Sequence, residues 1–210
     1  MIVMKRTEDY DPDLDIPTRI GVTGSPGTGK KSIGLALSKM LGLSFLSVNE
    51  YAKSYKIGHW NGGEFEVDTV RLKGKIPCEG RVVVGHLLPY VLSPKSLQFV
   101  AILRCSPSVL RKRYAERGYS TTKIQENLQA EALDIISQKA FSTFGRKKVS
   151  EFDTTMTRNP QTTAQRIVAT IRGKRSRTFG TFSWLEDAKS EGRLRLMLMG
   201  EASVGRGIQY

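Results

Sequence analysis

Gly24-Ser25-Pro26-Gly27-Thr28-Gly29-Lys30-Lys31-Ser32 is the stretch on which the fold turns. A short apolar run, residues 19–23, leads into it. Ile33, Ala36, Leu37, Met40 and Leu41 then recur at helical spacing until Gly42 closes the pattern. A glycine-rich turn between a strand and an amphipathic helix lets the backbone bend sharply and aims several N–H groups at one centre. That nest and the helix N-terminus both favour an anion. Lys30 adds a point charge for the β- and γ-phosphates. Strand, spacing and lysine together predict a phosphate loop that holds a nucleoside triphosphate, with ATP the expected nucleotide.

One residue departs from the usual pattern. The place after the loop lysine ordinarily carries Ser or Thr, whose hydroxyl meets Mg²⁺. Here it is Lys31, with Ser32 one place later. Three readings stay open: Ser32 touches a phosphate while Mg²⁺ is held mostly through water, Lys31 is a surface residue of the first turn, or Lys31 weakens Mg²⁺ binding by repulsion.

Outward from the loop, the segments 43–48, 82–84 (fully apolar), 99–103 and 149–152 predict four more strands. Ser106-Pro107 opens a helix that Gly118 stops. Residues 122–141 read as one long helix, and Asn159-Pro160 opens another that ends at Gly173. Strands alternating with helices, and apolar on both faces, predict an α/β three-layer sandwich with a five-stranded parallel sheet. The chain divides into an acidic leader (1–17), a phosphate-loop domain (18–172) and a basic, aromatic-containing extension (173–210) with a candidate strand at 194–199.

Composition narrows the class. Hydrophobic content of 39 % and charged content of 25 % suit a globular chain, and no apolar run is long enough to span a membrane. No signal-peptide core precedes the domain, so an intracellular, cytoplasmic location is expected, with no membrane partner. Cys78 and Cys105 stand outside any metal or redox spacing and read as free buried thiols. The chain carries 33 Lys and Arg against 20 Asp and Glu, a net charge of +13, which favours contact with a polyanion such as RNA.

Phosphoryl transfer spreads charge over three oxygens and needs cations around it. Arg104 ends the fourth strand, and Arg113 and Arg117 share a helix face before the Gly118-Tyr119 break. These arginines are the candidate catalytic groups beside Lys30, with an ordinary basic helix face as the alternative. Strand three ends Val84-Gly85-His86, without an acid. Either Glu50 or Asp68 supplies one, and His86 either orients a water or serves as a structural hydrogen-bonder. Asn127 and Glu131, four apart, share a helix face.

The loop 24–32, Ser47-Val48-Asn49-Glu50-Tyr51-Ala52, Gly85-His86, Leu103-Arg104, Arg113 to Tyr119 and residues 126–132 occur in an order that resembles the archaeal adenylate kinase-like ATPases, relatives of the eukaryotic coilin-interacting nuclear ATPase. Phe152-Asp153-Thr154-Thr155 and Trp184-Leu185-Glu186 are similar to that family's last strand and C-terminal end. The resemblance implies the adenylate kinase fold, with a monophosphate-binding region near 48–71 and a short lid near 116–126. It implies ATP contacts at Gly27, Gly29, Lys30, Lys31, Ser32 and Arg117, a monophosphate pocket among Glu50, Asp68, Arg71 and His86, and Mg²⁺ with ATP as cofactor, Ser32 reaching the metal mostly through water. The implied activity is nucleoside monophosphate kinase with ATPase. The implied setting is small ribosomal subunit maturation, with a platform protein of the S-eleven family and neighbouring rRNA as partners. The alternative is an ATP-switched ribosome-assembly binding protein with little kinase activity, and a small-molecule kinase of similar fold stands third.

Overall fold

The computed structural model describes residues 16–157 and 159–190. Strands β1 (Arg19–Gly24), β2 (Ser44–Ser47), β5 (Arg81–Val84), β6 (Phe99–Arg104) and β7 (Val149–Asp153) form one parallel sheet in the order β2-β5-β1-β6-β7. The expected α/β sandwich is what the chain adopts. Side chains alternate between the faces of a strand. Val82, Val84, Ala101 and Leu103 therefore meet α1 (Lys30–Leu41) and α8 (Pro160–Ile171) on one side. Val83, Val100 and Ile102 meet α4 (Leu88–Val91) and α7 (Ile135–Phe144) on the other. Fully burying one such aliphatic side chain stabilises by about 1.5–3 kcal/mol. The sheet thus draws on both layers, and β1, at its centre, delivers the phosphate loop from a fixed base.

Between β2 and β5 the polar stretch is more structured than its composition suggests. Helix α2 (Val48–Ser54) is capped by Ser47, whose hydroxyl accepts from the Glu50 N–H. Strands β3 (Gly58–Asn61) and β4 (Glu64–Val67) then pair antiparallel. Gly62 and Gly63, with φ of 54° and 81°, make the two-residue turn whose twist suits a hairpin. A short helix, α3 (Thr69–Leu72), follows. Its cap is Asp68, which accepts from the Arg71 N–H.

The single helix expected over 122–141 is two: α6 (Thr121–Ala132) and α7, broken where Asp134 takes φ of 55°. The break has a cause on the neighbouring strand. Arg104 alternates with Leu103, so it shares a face with Ile102 and with Glu151 of the adjacent β7. Its guanidinium is fully buried there. It donates Nε to Glu131 Oε1 at 2.9 Å, Nη1 to Glu151 Oε1 at 2.8 Å and Nη2 to Asp134. Bending the chain at Asp134 brings its carboxylate, with that of Glu131, onto the arginine that Glu151 meets from the neighbouring strand.

The segment after α8 is not a free extension in its first part. It runs back along β7, where the Glu151 N–H donates to Thr178 O at 2.8 Å and the Gly180 N–H to Glu151 Oε2 at 2.7 Å. Phe179 stacks on Phe141 with ring centroids 4.2 Å apart. Helix α9 (Trp184–Ser190) begins on the core, its Trp184 Nε1 donating to Glu131 Oε1 at 3.2 Å. The candidate strand at 194–199 and most of the acidic leader lie outside the described residues. Cys78 and Cys105 are buried and free.

Replacing one partner of a buried ion cluster leaves the others uncompensated. Arg104→Met is therefore expected to lower the unfolding free energy by about 3–5 kcal/mol, measured by urea unfolding. A loss below about 1 kcal/mol would show that the cluster does not hold β6, β7 and α6 together.

Candidate functional site

The phosphate loop begins at Gly24, and Gly29 caps α1 with φ of 90°, without a side-chain bond to the helix. The first-turn amides of α1 are therefore open to an anion. At Gly27, φ is 78° and a Cβ would sit 2.9 Å from the Tyr114 ring, so only glycine fits. Carbonyls of the loop are held by donors from outside the turn. The Tyr114 hydroxyl donates to Pro26 O at 2.7 Å, and Arg113 Nη1 donates to Gly27 O at 2.9 Å. Carbonyl and amide point opposite ways across a trans peptide. Pinning Pro26 O outward thus turns the Gly27 N–H toward the hollow. From below, the Ser25 hydroxyl donates to buried Glu131 Oε2 at 2.6 Å.

Lys30, the first residue of α1, lies across the loop and donates to Ser25 O at 2.7 Å. Burial pulls its pKa down to about 7. Glu131 opposes that shift and Arg117 adds to it. A phosphate chain above the loop would restore the full ammonium charge. His86 is pulled down to about 4, by burial first and by Lys30 second, so it is neutral near pH 7 and offers a hydrogen bond without charge.

Two cavities meet at the loop. The larger, about 670 Å³, lies between the P-loop, the β3–β4 hairpin and α6. The smaller, about 230 Å³, lies between the loop, α5 (Pro107–Glu116) and the start of α8. Gly27, Gly29, Ser32 and Arg117 line both. The geometry suits a bent ligand with phosphates at the junction and a separate group at each end.

Of the residues expected from sequence, Gly27, Gly29, Lys30, Lys31, Ser32, His86 and Arg117 line the larger cavity, and Arg113 lines the smaller. Four others stand elsewhere. Arg104 is withdrawn from any phosphate clamp, because its strand register buries it among three carboxylates. Asp68 caps α3 by accepting from the Arg71 N–H, the Arg71 side chain is exposed, and neither residue lines either of these two cavities. Glu50 is one step removed, bound to Lys31 Nζ at 2.6 Å. In their place the wall carries Asn49, Glu64, Phe65 and Tyr119, together with Lys123 and Asn127 of α6. The face shared by Asn127 and Glu131 was visible as a spacing of four. Extended back to Lys123, it joins the cavity wall to the P-loop support. The hairpin residues carried no sequence signal beyond their turn glycines.

A divalent ion in a phosphate loop ordinarily takes the hydroxyl after the loop lysine and a carboxylate from a neighbouring strand. Here Lys31 occupies the first place. The strand beside β1 ends in buried Val84, in register with Val22. Glu64 pairs with Lys123, Glu66 with His59, and Glu50 with Lys31. Among the described residues, no three His, Cys, Asp or Glu side chains are placed so that they could hold a metal ion. The donors present do not fit a directly held divalent cation.

Comparison with known proteins places this site in context. Residues 20–134 match the family described as AAA domain. A protein of Thermococcus onnurineus named "Putative adenylate kinase" is 34 % identical over 172 residues, 80 % of this chain and 92 % of its own length. One of the same name from Methanocaldococcus jannaschii is 30 % identical over 175 residues, 80 % of this chain and 93 % of its own. Among solved structures, shikimate kinase from Acinetobacter baumannii in complex with shikimate superposes with a TM-score of 0.56 at 17 % identity. The match covers 78 % of this chain and 97 % of that one, and it supports the P-loop kinase fold. No helix among the described residues is long and apolar enough to cross a membrane. With a phosphate loop set between two cavities and relatives aligned along four-fifths of its length, this chain belongs to the archaeal adenylate kinase-like family of P-loop proteins.

Proposed function

We propose that the chain is a nucleoside monophosphate kinase that also hydrolyses ATP. The observation that carries this reading is the meeting of two cavities over one phosphate loop, with Arg117 on the wall of both. ATP would lay its nucleoside in the smaller cavity and its phosphates over residues 24–32. A monophosphate would enter the larger cavity from the hairpin side. Transfer is in line between the two, and positioning with electrostatic stabilisation supplies most of the catalysis. Lys30 and Arg117 are the cations for the moving phosphoryl group. Arg113 acts one step back, holding the loop at Gly27 and α8's approach at Thr154 O. Neutral His86 accepts or donates a hydrogen bond at the cavity floor. The family implies ATP use, and Mg²⁺ is its ordinary companion. With no donor pair for it here, no step is assigned to the ion.

A second reading has its own observation. Lys174, Arg175 and Arg177 are exposed beside the docked segment, on a chain of net charge +13. That charge, with the resemblance to ribosome-assembly ATPases, supports an ATP-switched contact with small-subunit ribosomal protein of the S-eleven family or nearby rRNA. Removing residues 173–210 does not isolate this surface, because Gly180 and Trp184 bond to the core. Paired Lys174→Glu and Arg175→Glu changes do. They are expected to weaken binding of purified small subunits in a low-salt titration while ATP turnover holds. Equal binding by parent and variant would remove this surface from the reading.

The kinase reading is tested by measuring ATP consumption alone and with each monophosphate. Stimulation and diphosphate product are expected with at least one monophosphate, and Lys30→Met is expected to abolish turnover while the melting transition is retained. Hydrolysis unaffected by every monophosphate would overturn transfer, and near-parent turnover in Lys30→Met would overturn the loop assignment. A proton balance follows from Lys30. Its free-state pKa of about 7 leaves it largely neutral at about pH 8, whereas bound phosphates favour the ammonium. ATP binding at about pH 8 is therefore expected to take up a proton, and binding at about pH 6 to take up little. Calorimetry in buffers of different ionisation enthalpy reads this directly, and uptake that does not grow with pH would contradict it.

A further inference from the structure

Lys30 and Lys31 are consecutive on α1, so their side chains leave the helix about 100° apart. The two ammonium groups can therefore approach a phosphate chain from two sides. Lys30 does so from within the loop, bonded to Ser25 O. Lys31 does so from the wall of the larger cavity, with its side chain 65 % exposed and its Nζ held 2.6 Å from Glu50 Oε1. Glu50 sits in the first turn of α2, which Ser47 caps, so the anchor of Lys31 is itself fixed.

An ordinary phosphate loop surrounds its nucleotide with one lysine and one metal ion. In this chain both usual direct donors to that ion are replaced, and Ser32, one place later on the wall of both cavities, is left to reach it only through water. Lysine stands where the hydroxyl would be, and Val84 stands where an acid would be, on the strand next to the loop. An ammonium in the metal's direction also repels a divalent ion. Yet the positive charge has not been lost from the pocket, because the substitution that removes the ligand supplies a cation at the same point of the helix.

We infer that this loop binds nucleoside triphosphate in its metal-free form, with the Lys31 ammonium taking the electrostatic place of the divalent cation and Glu50 positioning it. The inference rests on the reading of residues 24–32 as a nucleotide site and names the ionic form that site accepts. Lys31 exchanges or shares its carboxylate partner for a phosphate oxygen when the nucleotide arrives, and no covalent step is involved.

The test is calorimetric titration of the full chain with ATP, in EDTA and in excess Mg²⁺. The parent is expected to bind at least as tightly in EDTA as in Mg²⁺. Lys31→Thr restores the usual hydroxyl. It is expected to lose about tenfold or more in EDTA, the scale of one charge-assisted hydrogen bond, and to recover in Mg²⁺. Lys31→Met is expected to show the same loss without the recovery. Because Lys31 is exposed, all variants should melt with the parent, which separates binding from folding. Parent binding that falls about tenfold or more when Mg²⁺ is removed would overturn the inference and leave the nucleotide site standing. Lys31→Thr and Lys31→Met binding like the parent in EDTA would overturn it too. No ATP binding in either buffer would remove the nucleotide site itself, and the inference with it.

Discussion

Glu131 is a carboxylate on α6 that water does not reach, and four donors converge on it. Oε2 accepts from the Ser25 hydroxyl of the phosphate loop. Oε1 accepts from Arg104 Nε, the Cys105 N–H and Trp184 Nε1. Two carboxylate oxygens offer about four lone-pair sites, and four donors, three on Oε1 and one on Oε2, stand against them. A buried charge is tolerated only when paired and fully hydrogen-bonded. That requirement ties four parts of the chain to one point: the loop after β1, the end of β6, the first turn of α9 and α6 itself. The charge also reaches the site, since Glu131 opposes the burial that lowers the Lys30 pKa.

The consequence for the site is positional. Because Glu131 is fixed, the face of α6 one and two turns earlier is fixed with it, and Asn127 and Lys123 lie on the cavity wall. Asn127 Nδ2 donates back to Lys123 O at 2.7 Å, and Lys123 pairs with Glu64 of the hairpin. A line of contacts thus runs from the docked C-terminal segment through the ion cluster to the hairpin that borders the larger cavity. Tyr114 closes the other side. It is fully buried, stacks on Tyr119 at 5.5 Å and holds Pro26 O. The loop is held from below by a carboxylate and from the side by a phenol and an arginine. Only the face toward solvent is free to meet a ligand.

Much of this was legible from local pattern. The five sheet strands are short segments with an apolar core, most clearly β5 and β6, set off by turn and helix signals on either side. The phosphate loop is legible because its glycines, lysine and flanking elements lie within one short window. Residues 27 to 32 lie in the turn between β1 and α1 and on the first turn of that helix, where the spacing put them. Arg104, by contrast, ends a strand in a chain that needs phosphate-binding cations, and sequence assigned it to that need. Its true partners lie at sequence distances of 27, 30 and 47 residues, and only strand register and the bend at Asp134 bring them together. The same holds for Trp184, an aromatic residue in a basic segment whose buried acceptor lies 53 residues away. Asp68 and Arg71 read as charges near a substrate, yet each belongs to a local helix start that four residues of sequence do not distinguish from a loop.

The two adjacent lysines show how one residue step on a helix separates two kinds of cation. Lys30 points inward, loses water and is supported by a backbone carbonyl and by Glu131 behind the loop. Its charge is strongest when an anion is present. Lys31 points along the cavity wall, stays in water and carries its own carboxylate, so it needs no ligand to be stable. A site built only of the first kind would hold cations that the empty protein disfavours. A site built only of the second would bind anions weakly, because exposed ion pairs contribute little. Together they divide the task. The buried lysine supplies a response to phosphate, the exposed one supplies charge that is already present, and the buried Arg104 is left to the fold.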